Sequence, residues 1–194
     1  MTTDHVRTGD HVRTGHVRTG HVRTDHVRTD LDLLSPDADL VRPLFLAVDG
    51  SLEPGRARHL VRIGQLLYTF WHTGDEKYLD AAVAPEFVDN TLPPGRPQGR
   101  AGQRTASAAF RAAVPDLACE LSELLVVADR LAVRLRFTGH FTGVFNGIRG
   151  EGQAIDFAAF DIQHVGPDRI VEDWHLEDNL AFLIQAGLAS VRGA

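Results

Sequence analysis

The sequence predicts an α+β domain in which a strongly curved, mainly antiparallel sheet wraps around N-terminal helices. Three observations carry this expectation. Between Arg56 and Ala113 apolar residues recur at three- and four-residue spacing, the period of amphipathic helices. From Leu117 the pattern changes to alternation, the period of half-buried strands. Within 153–178 two alternating runs flank Gly166-Pro167-Asp168, residues that favour a turn and include a proline unable to donate to a ladder. Helices followed by a run of antiparallel strands give the α+β class. A curved sheet with helices on its concave side encloses a pocket, and pockets for small ligands measure roughly a few hundred Å³.

The chain has 194 residues and a net charge of −6, with 43% hydrophobic and 24% charged residues, which suits one globular domain with extensions. It has no basic stripe with interleaved aromatics, so no nucleic-acid partner is expected. No apolar run approaches the roughly 18 residues of a membrane span, and no signal-peptide core follows Met1. No membrane partner is expected, and the chain reads as cytoplasmic. A single cysteine, Cys119, excludes an intrachain disulfide and a cysteine-based zinc site, and its apolar surroundings read as a buried thiol. Arginine outnumbers lysine nineteen to one, a bias that suggests a GC-rich bacterial genome.

Three segments follow from composition. In 1–30 the unit His-Val-Arg-Thr occurs five times, separated by Gly and Asp. One valine per unit cannot build a core, so this tail reads as disordered. Its histidines have no accompanying acidic or thiol cluster, and no metal is expected there or elsewhere. Residues 31–55, with the apolar patch Leu40 to Val48, read as a linker or a docking arm. The domain occupies 56–194.

Within the domain, Leu60, Ile63, Leu66, Leu67, Phe70 and Trp71 form one apolar helical face that ends at Thr73-Gly74. Asp75 is placed to cap a short helix that stops before Pro85. Phe87 to Asn90 is extended, and the Pro/Gly-rich loop Leu92–Gly99 is long enough to form a lid or rim. A third helix, Arg100 to Ala113, buries Phe110 and is broken by Pro115-Asp116. Strands 117–127 and 130–140 flank the hairpin turn Ala128-Asp129. Arg134 and Arg136 lie opposite the apolar face of the second, as a solvated face or as anchors for an anionic substrate. After the last hairpin, Asp178 caps a helix to Ala186, which carries Leu180, Leu183 and Ile184 on one side.

The chemistry concentrates in the last hairpin. Side chains alternate, so Phe157, Ala159 and Asp161 share one face, while Asp173, His175 and Glu177 share a face of the next strand. A carboxylate beside an imidazole can form a proton-transfer pair, and Asp161 and His175 are the candidates. Trp71, Phe157 and Asp173 are candidate substrate contacts.

Phe87-Val88-Asp89, Val114-Pro115-Asp116, Gly139-His140-Phe141-Thr142-Gly143, Asp161-Ile162, Arg169-Ile170-Val171-Glu172 and Gln185-Ala186-Gly187 stand in this order. The order and spacing resemble the SnoaL-like polyketide cyclases, of the nuclear-transport-factor-like superfamily of cone-shaped α+β domains, over roughly residues 56–189. The resemblance implies a cone with an internal pocket, acid/base catalysis without a cofactor, and a homodimer joined through the outer sheet face. It also implies an acid/base Asp on the last strand, at His175 here, and a His fourteen positions earlier, at Asp161 here. The two residue types are exchanged. The family's Gly-Thr-His-Thr-Gly segment reads Gly139-His140-Phe141-Thr142-Gly143 here, so Phe141 stands at the segment's own His position and is a candidate substrate contact. The resemblance adds Asp89, with Asn90 adjacent, where the cyclases often carry an Asn on the first short strand.

The expected function is therefore a cofactor-independent cyclase or isomerase acting on a polyketide-like, enolisable carbonyl compound, by an aldol-type cyclisation. His175, with an ordinary pKa of about 6.5, would abstract the α-proton. Asp161 would orient it, and Asn90 or a backbone N–H would stabilise the enolate. One alternative is water addition of the epoxide-hydrolase kind, which needs Asp161, Asp173 and Arg134 or Arg136 to converge. The other is a small-ligand binding protein without chemistry. If Asp161 and His175 face the pocket, Phe160, Ile162, Trp174 and Leu176 face outward and call for a covering subunit.

Overall fold

The computed structural model describes residues 27–28 and 31–191. Apart from Val27–Arg28, the His-Val-Arg-Thr tail and the disorder expected of it lie outside these residues. The elements run β1 (Val27–Arg28), a 3-10 turn (Leu31–Leu33), β2 (Phe45–Asp49), α1 (Pro54–Thr73), α2 (Glu76–Ala82), β3 (Val83–Asp89) and α3 (Arg100–Ala113). They continue with β4 (Ala118–Val127), β5 (Arg130–Phe141), β6 (Val144–Phe145), β7 (Ile148–Arg149), β8 (Gln153–Val165), β9 (Ile170–Glu177) and α4 (Asn179–Gln185). Seven strands form one mixed, mostly antiparallel sheet in the order β1-β2-β4-β5-β8-β9-β3, and β6 and β7 pair separately. This is the α+β class that the sequence predicts.

Local chemistry explains most boundaries. Glu53 caps α1 by accepting from the amides of Gly55 and Arg56, and Pro54 occupies the first turn, where its missing N–H costs nothing. Gly74 closes α1 in the left-handed region (φ 77°), where a side chain is disfavoured. Asp75 caps α2 through the Lys77 amide. β3 runs through Pro85, which the sheet tolerates because β3 is an edge strand and its register against β9 slips between Val83 and Val88.

The core lies between α1 and the concave side of the sheet. Leu60, Leu67, Leu124 and Leu131 are fully buried there. Gly64 lets the helix approach closely, because a β-carbon at that position would meet the Leu124 methyls at 3.3 Å. The segment before α1 docks on the same domain. Gln65 of α1 accepts from the Ser35 amide and donates to the Val41 carbonyl, and Thr69 accepts from the Val41 amide. β2 then adds to β4 in parallel.

The last hairpin is clamped to α1. Arg56 donates to the carbonyls of Val165, Gly166 and Pro167 at 2.9–3.2 Å. β8 alternates as its sequence predicts, with Ile155, Phe157, Ala159, Asp161 and Gln163 buried and Phe160 and Ile162 exposed. On α4 the buried residue is Phe182, while Leu180 and Ile184 are exposed. Phe182 packs edge-on against Phe110, Phe145 and Phe157.

Candidate active site

A cavity opens between the concave face of β5, β8 and β9, the helices α1 and α3, and the loop that carries Arg96. Its wall is aromatic on one side, with Trp71, Phe110, Phe137 and Phe157, and acidic on the other, with Asp89, Asp161, Asp173 and Glu177 around His175. Phe137 and Phe157 stack at 5.3 Å, and Phe110 stacks on Phe157 at 5.9 Å. The free space is about 30 Å³, room for about one water. This is far below a few hundred Å³, because these rings fill the concavity.

Asp161 and His175 are direct cross-strand partners on β8 and β9, and both line the cavity. They are not bonded to each other in the way the sequence suggests. Asp161 Oδ2 accepts from the Tyr68 hydroxyl at 2.7 Å, and Gln163 Nε2 donates to the same hydroxyl oxygen at 2.9 Å. His175 instead sits between two other carboxylates. Its Nδ1 lies 2.8 Å from Glu177 Oε1 and its Nε2 lies 3.1 Å from Asp89 Oδ2. Ionised carboxylates only accept, so this geometry places a proton on each ring nitrogen and makes His175 an imidazolium.

The electrostatics agree. Burial pulls the His175 imidazole down, but the hydrogen bond and charge of Glu177, with Asp173 and Asp89, outweigh it and lift its pKa to about 9. Burial raises Asp161 to about 6, against the opposing Tyr68 hydrogen bond and His175 charge. Burial also raises Asp173 to about 8, opposed by His175 and aided by the neighbouring carboxylates. Glu177 moves the other way. Burial pushes it up, but the His175 hydrogen bond and charge hold it below the usual range. At neutral pH the site therefore presents an ionised Asp161 beside a cationic His175, the reverse of the neutral imidazole that the sequence suggests.

No curated protein matches the chain. A candidate polyketide cyclase from Bacillus cereus is 41% identical, with a TM-score of 0.73, over 81% of this chain and 98% of that one. A second candidate polyketide cyclase, IdmH from Streptomyces antibioticus, is 26% identical with a TM-score of 0.60, over 66% and 98% of the two chains. TsrD from Streptomyces laurentii, at 24% identity and a TM-score of 0.62 over 72% and 100%, shares the fold. Residues 61–186 match the family described as SnoaL-like polyketide cyclase. The chain belongs to that family.

In this SnoaL-like domain the other expected contacts divide. Asp89, Trp71, Phe157 and Asp173 line the cavity. Asn90 does not, because β3 turns Asp89 inward and its neighbour outward, leaving Asn90 exposed with only its amide bonded, to the Asp173 carbonyl. Phe141 is fully buried at the end of β5, away from the cavity wall, with Gly150 packed against it. Arg134 and Arg136 point out of the sheet, paired with Glu123 and Asp156, so the water-addition reading that required either of them in the pocket is not built here. Reading by period missed Tyr68, Gln103 and Arg96. Tyr68 and Gln103 fall on the buried faces of α1 and α3, whereas Arg96 lies in the loop before α3 and carries no such signal.

A hydrogen bond to the ionised form of Asp161 lowers its pKa, so removing it has a directional consequence. In Tyr68→Phe the Asp161 pKa rises above about 6. The acid limb of a pH–rate profile then moves to higher pH while the alkaline limb stays in place. An unmoved acid limb would show that Asp161 does not govern it.

Proposed function

We propose that this family member is a cofactor-independent cyclase or isomerase acting on an enolisable carbonyl compound of the polyketide type. Membership of the family supports the cyclase- or isomerase-type role. The observation that carries the finer reading is the opposite charge of two neighbouring groups in one cavity, Asp161 and His175. Asp161 takes the α-proton of the substrate. The His175 imidazolium stabilises the enolate oxygen, sharing the Nε2 proton that otherwise points at Asp89. In a cyclisation the enolate carbon bonds to a second carbonyl carbon, and Asp161 returns its proton to the resulting alkoxide. Every proton is accounted for without an external reagent. The aromatic wall favours a planar, conjugated substrate over an aliphatic one.

The direct test is exchange of α-protons for deuterium in a 1,3-diketone such as benzoylacetone, followed by NMR with a chelator present. Catalysed exchange that needs both Asp161 and His175 supports the reading. Exchange at the buffer rate overturns it.

We also propose that the protein acts as a homodimer through the outer face of the sheet. Phe160 pairs with Leu176 and Ile162 with Trp174 across β8 and β9, and these side chains are 54%, 72%, 53% and 38% exposed. Four large apolar groups in one patch exceed what a monomer ordinarily leaves in water. A twofold partner would bring the same patch against itself, with Trp174 near the centre. Sedimentation of the wild type is expected to show a dimer at micromolar concentration, retained on deletion of 1–30 and lost in Trp174→Glu. A wild-type monomer would refute the interface.

A further inference from the structure

The sheet brings Asp89, Asp173 and His175 together from two strands. Asp89 and Asp173 are partners in the parallel β3–β9 pair, and His175 is two residues beyond Asp173, on the same face of β9. One ligand atom from each lies within 4.8 Å of the others. Each side chain is also steadied from behind. Thr91 donates its amide to Asp89 Oδ1 at 2.9 Å, Gln103 donates to Asp173 Oδ2 at 3.3 Å, and Glu177 faces His175 Nδ1 at 2.8 Å.

The atoms left to face a cation are Asp89 Oδ2, Asp173 Oδ1 and His175 Nε2. Asp89 Oδ2 and His175 Nε2 lie 3.1 Å apart, and a cation bound there replaces the proton between them, which is released to solvent. The metal-bound and imidazolium states are therefore alternatives. Asp173 is 3% exposed, lines the cavity, and its Oδ1 has no hydrogen-bond partner. An orphaned, buried carboxylate oxygen needs an explanation. We propose that Asp89, Asp173 and His175 form a binding site for one first-row divalent cation, such as Mn²⁺ or Zn²⁺. Two carboxylate oxygens and one imidazole nitrogen suit these ions, and are a poor match for the soft Cu(I) or for Ca²⁺, which takes oxygen ligands alone. Glu177 then plays the part of the carboxylate that orients a metal-bound histidine through its other nitrogen. The free space of about 30 Å³ beside these groups leaves room for about one ligand water.

The inference goes beyond the proposed reaction and is separable from it, since binding is measured without substrate and proton exchange is measured with a chelator. The experiment uses the full chain, stripped with EDTA and dialysed, and titrated with Mn²⁺ under electron paramagnetic resonance. One tightly bound Mn²⁺ per chain is expected, with pulsed spectra showing coupling to a single imidazole nitrogen. Asp173→Asn and His175→Gln should each weaken binding by about tenfold or more, and Glu177→Gln by about tenfold, the size of effect that orienting partners produce. His175→Gln should also abolish the nitrogen coupling, which distinguishes this site from the histidines of the tail. No bound Mn²⁺ in the wild type overturns the proposal, whether or not the variants fold. So does binding whose strength and nitrogen coupling survive in His175→Gln.

Discussion

His175→Ala and Asp161→Asn are each expected to lower turnover of an enolisable diketone by about 10² or more, the range for a positioned acid or base. The wild-type rate should follow a bell. It rises as Asp161 ionises near pH 6 and falls as His175 loses its proton near pH 9. A neutral histidine base would give a single rise near its ordinary pKa of about 6.5 instead, so the profile decides between the two assignments. Stability separates lost chemistry from lost folding. The folded-state pKa of Asp161 is raised above its ordinary 3.8 to about 6, so the folded state holds this proton more tightly than the unfolded one. Its contribution therefore becomes unfavourable as pH rises from about 4 to about 6, and stays so at neutral pH. Asp161→Asn should lose activity at pH 7 without a lower melting temperature. A variant that melts early would leave its lost activity attributable to unfolding, and wild-type turnover in a folded His175→Ala would sink the assignment.

The largest effect on stability is expected at Leu124. It is fully buried and lies directly against Gly64 of α1. Leu124→Ala removes three methyl or methylene-sized groups from a contact that already has a glycine on its other side, so the void cannot be filled from the helix. A cost of about 2–5 kcal/mol is the usual range for such a truncation. Chemical denaturation with an unchanged slope should report it. A change below about 1 kcal/mol would mean that α1 settles onto the sheet. That movement would carry Tyr68 with it and should then appear in the Asp161 limb of the pH profile.

The two effects meet at α1, which both seals the core and delivers a hydroxyl to the site. One face of the helix supplies Leu60 and Leu67 to the core. The same face carries Tyr68, whose oxygen stands between Asp161 and Gln163. Burial pushes the Tyr68 phenol well above its ordinary range, with the Asp161 charge adding to the effect. It therefore keeps its proton and donates to Asp161 at neutral pH.

Periodicity alone determined the class of fold, the helices α1 to α4 and the long strands between them, and it set Asp161 on one face of β8 and Asp173 with His175 on one face of β9. Which of those faces turns inward it left open, and it did not show the small hairpin of β6 and β7. These are consequences of local geometry, since a strand sends alternate residues to opposite faces wherever it sits. The opposite set Phe160, Ile162, Trp174 and Leu176 followed from the same rule. The alternation of β3 was as legible, yet choosing between Asp89 and Asn90 required knowing which face of an edge strand met the core. Tertiary structure decided everything that depends on separate elements coming together. Two strand additions, β2 on β4 and β3 on β9, are parallel and have no hairpin turn to announce them. The partners of His175 are Glu177 on its own strand and Asp89 on a distant one, so its charge could not be read from its neighbours in sequence. Phe141 was placed by family order, and packing around Gly150 drew it into the core. The charge states of Asp161 and His175 are set by burial and by charges within a few ångströms, quantities that exist only once the chain has folded.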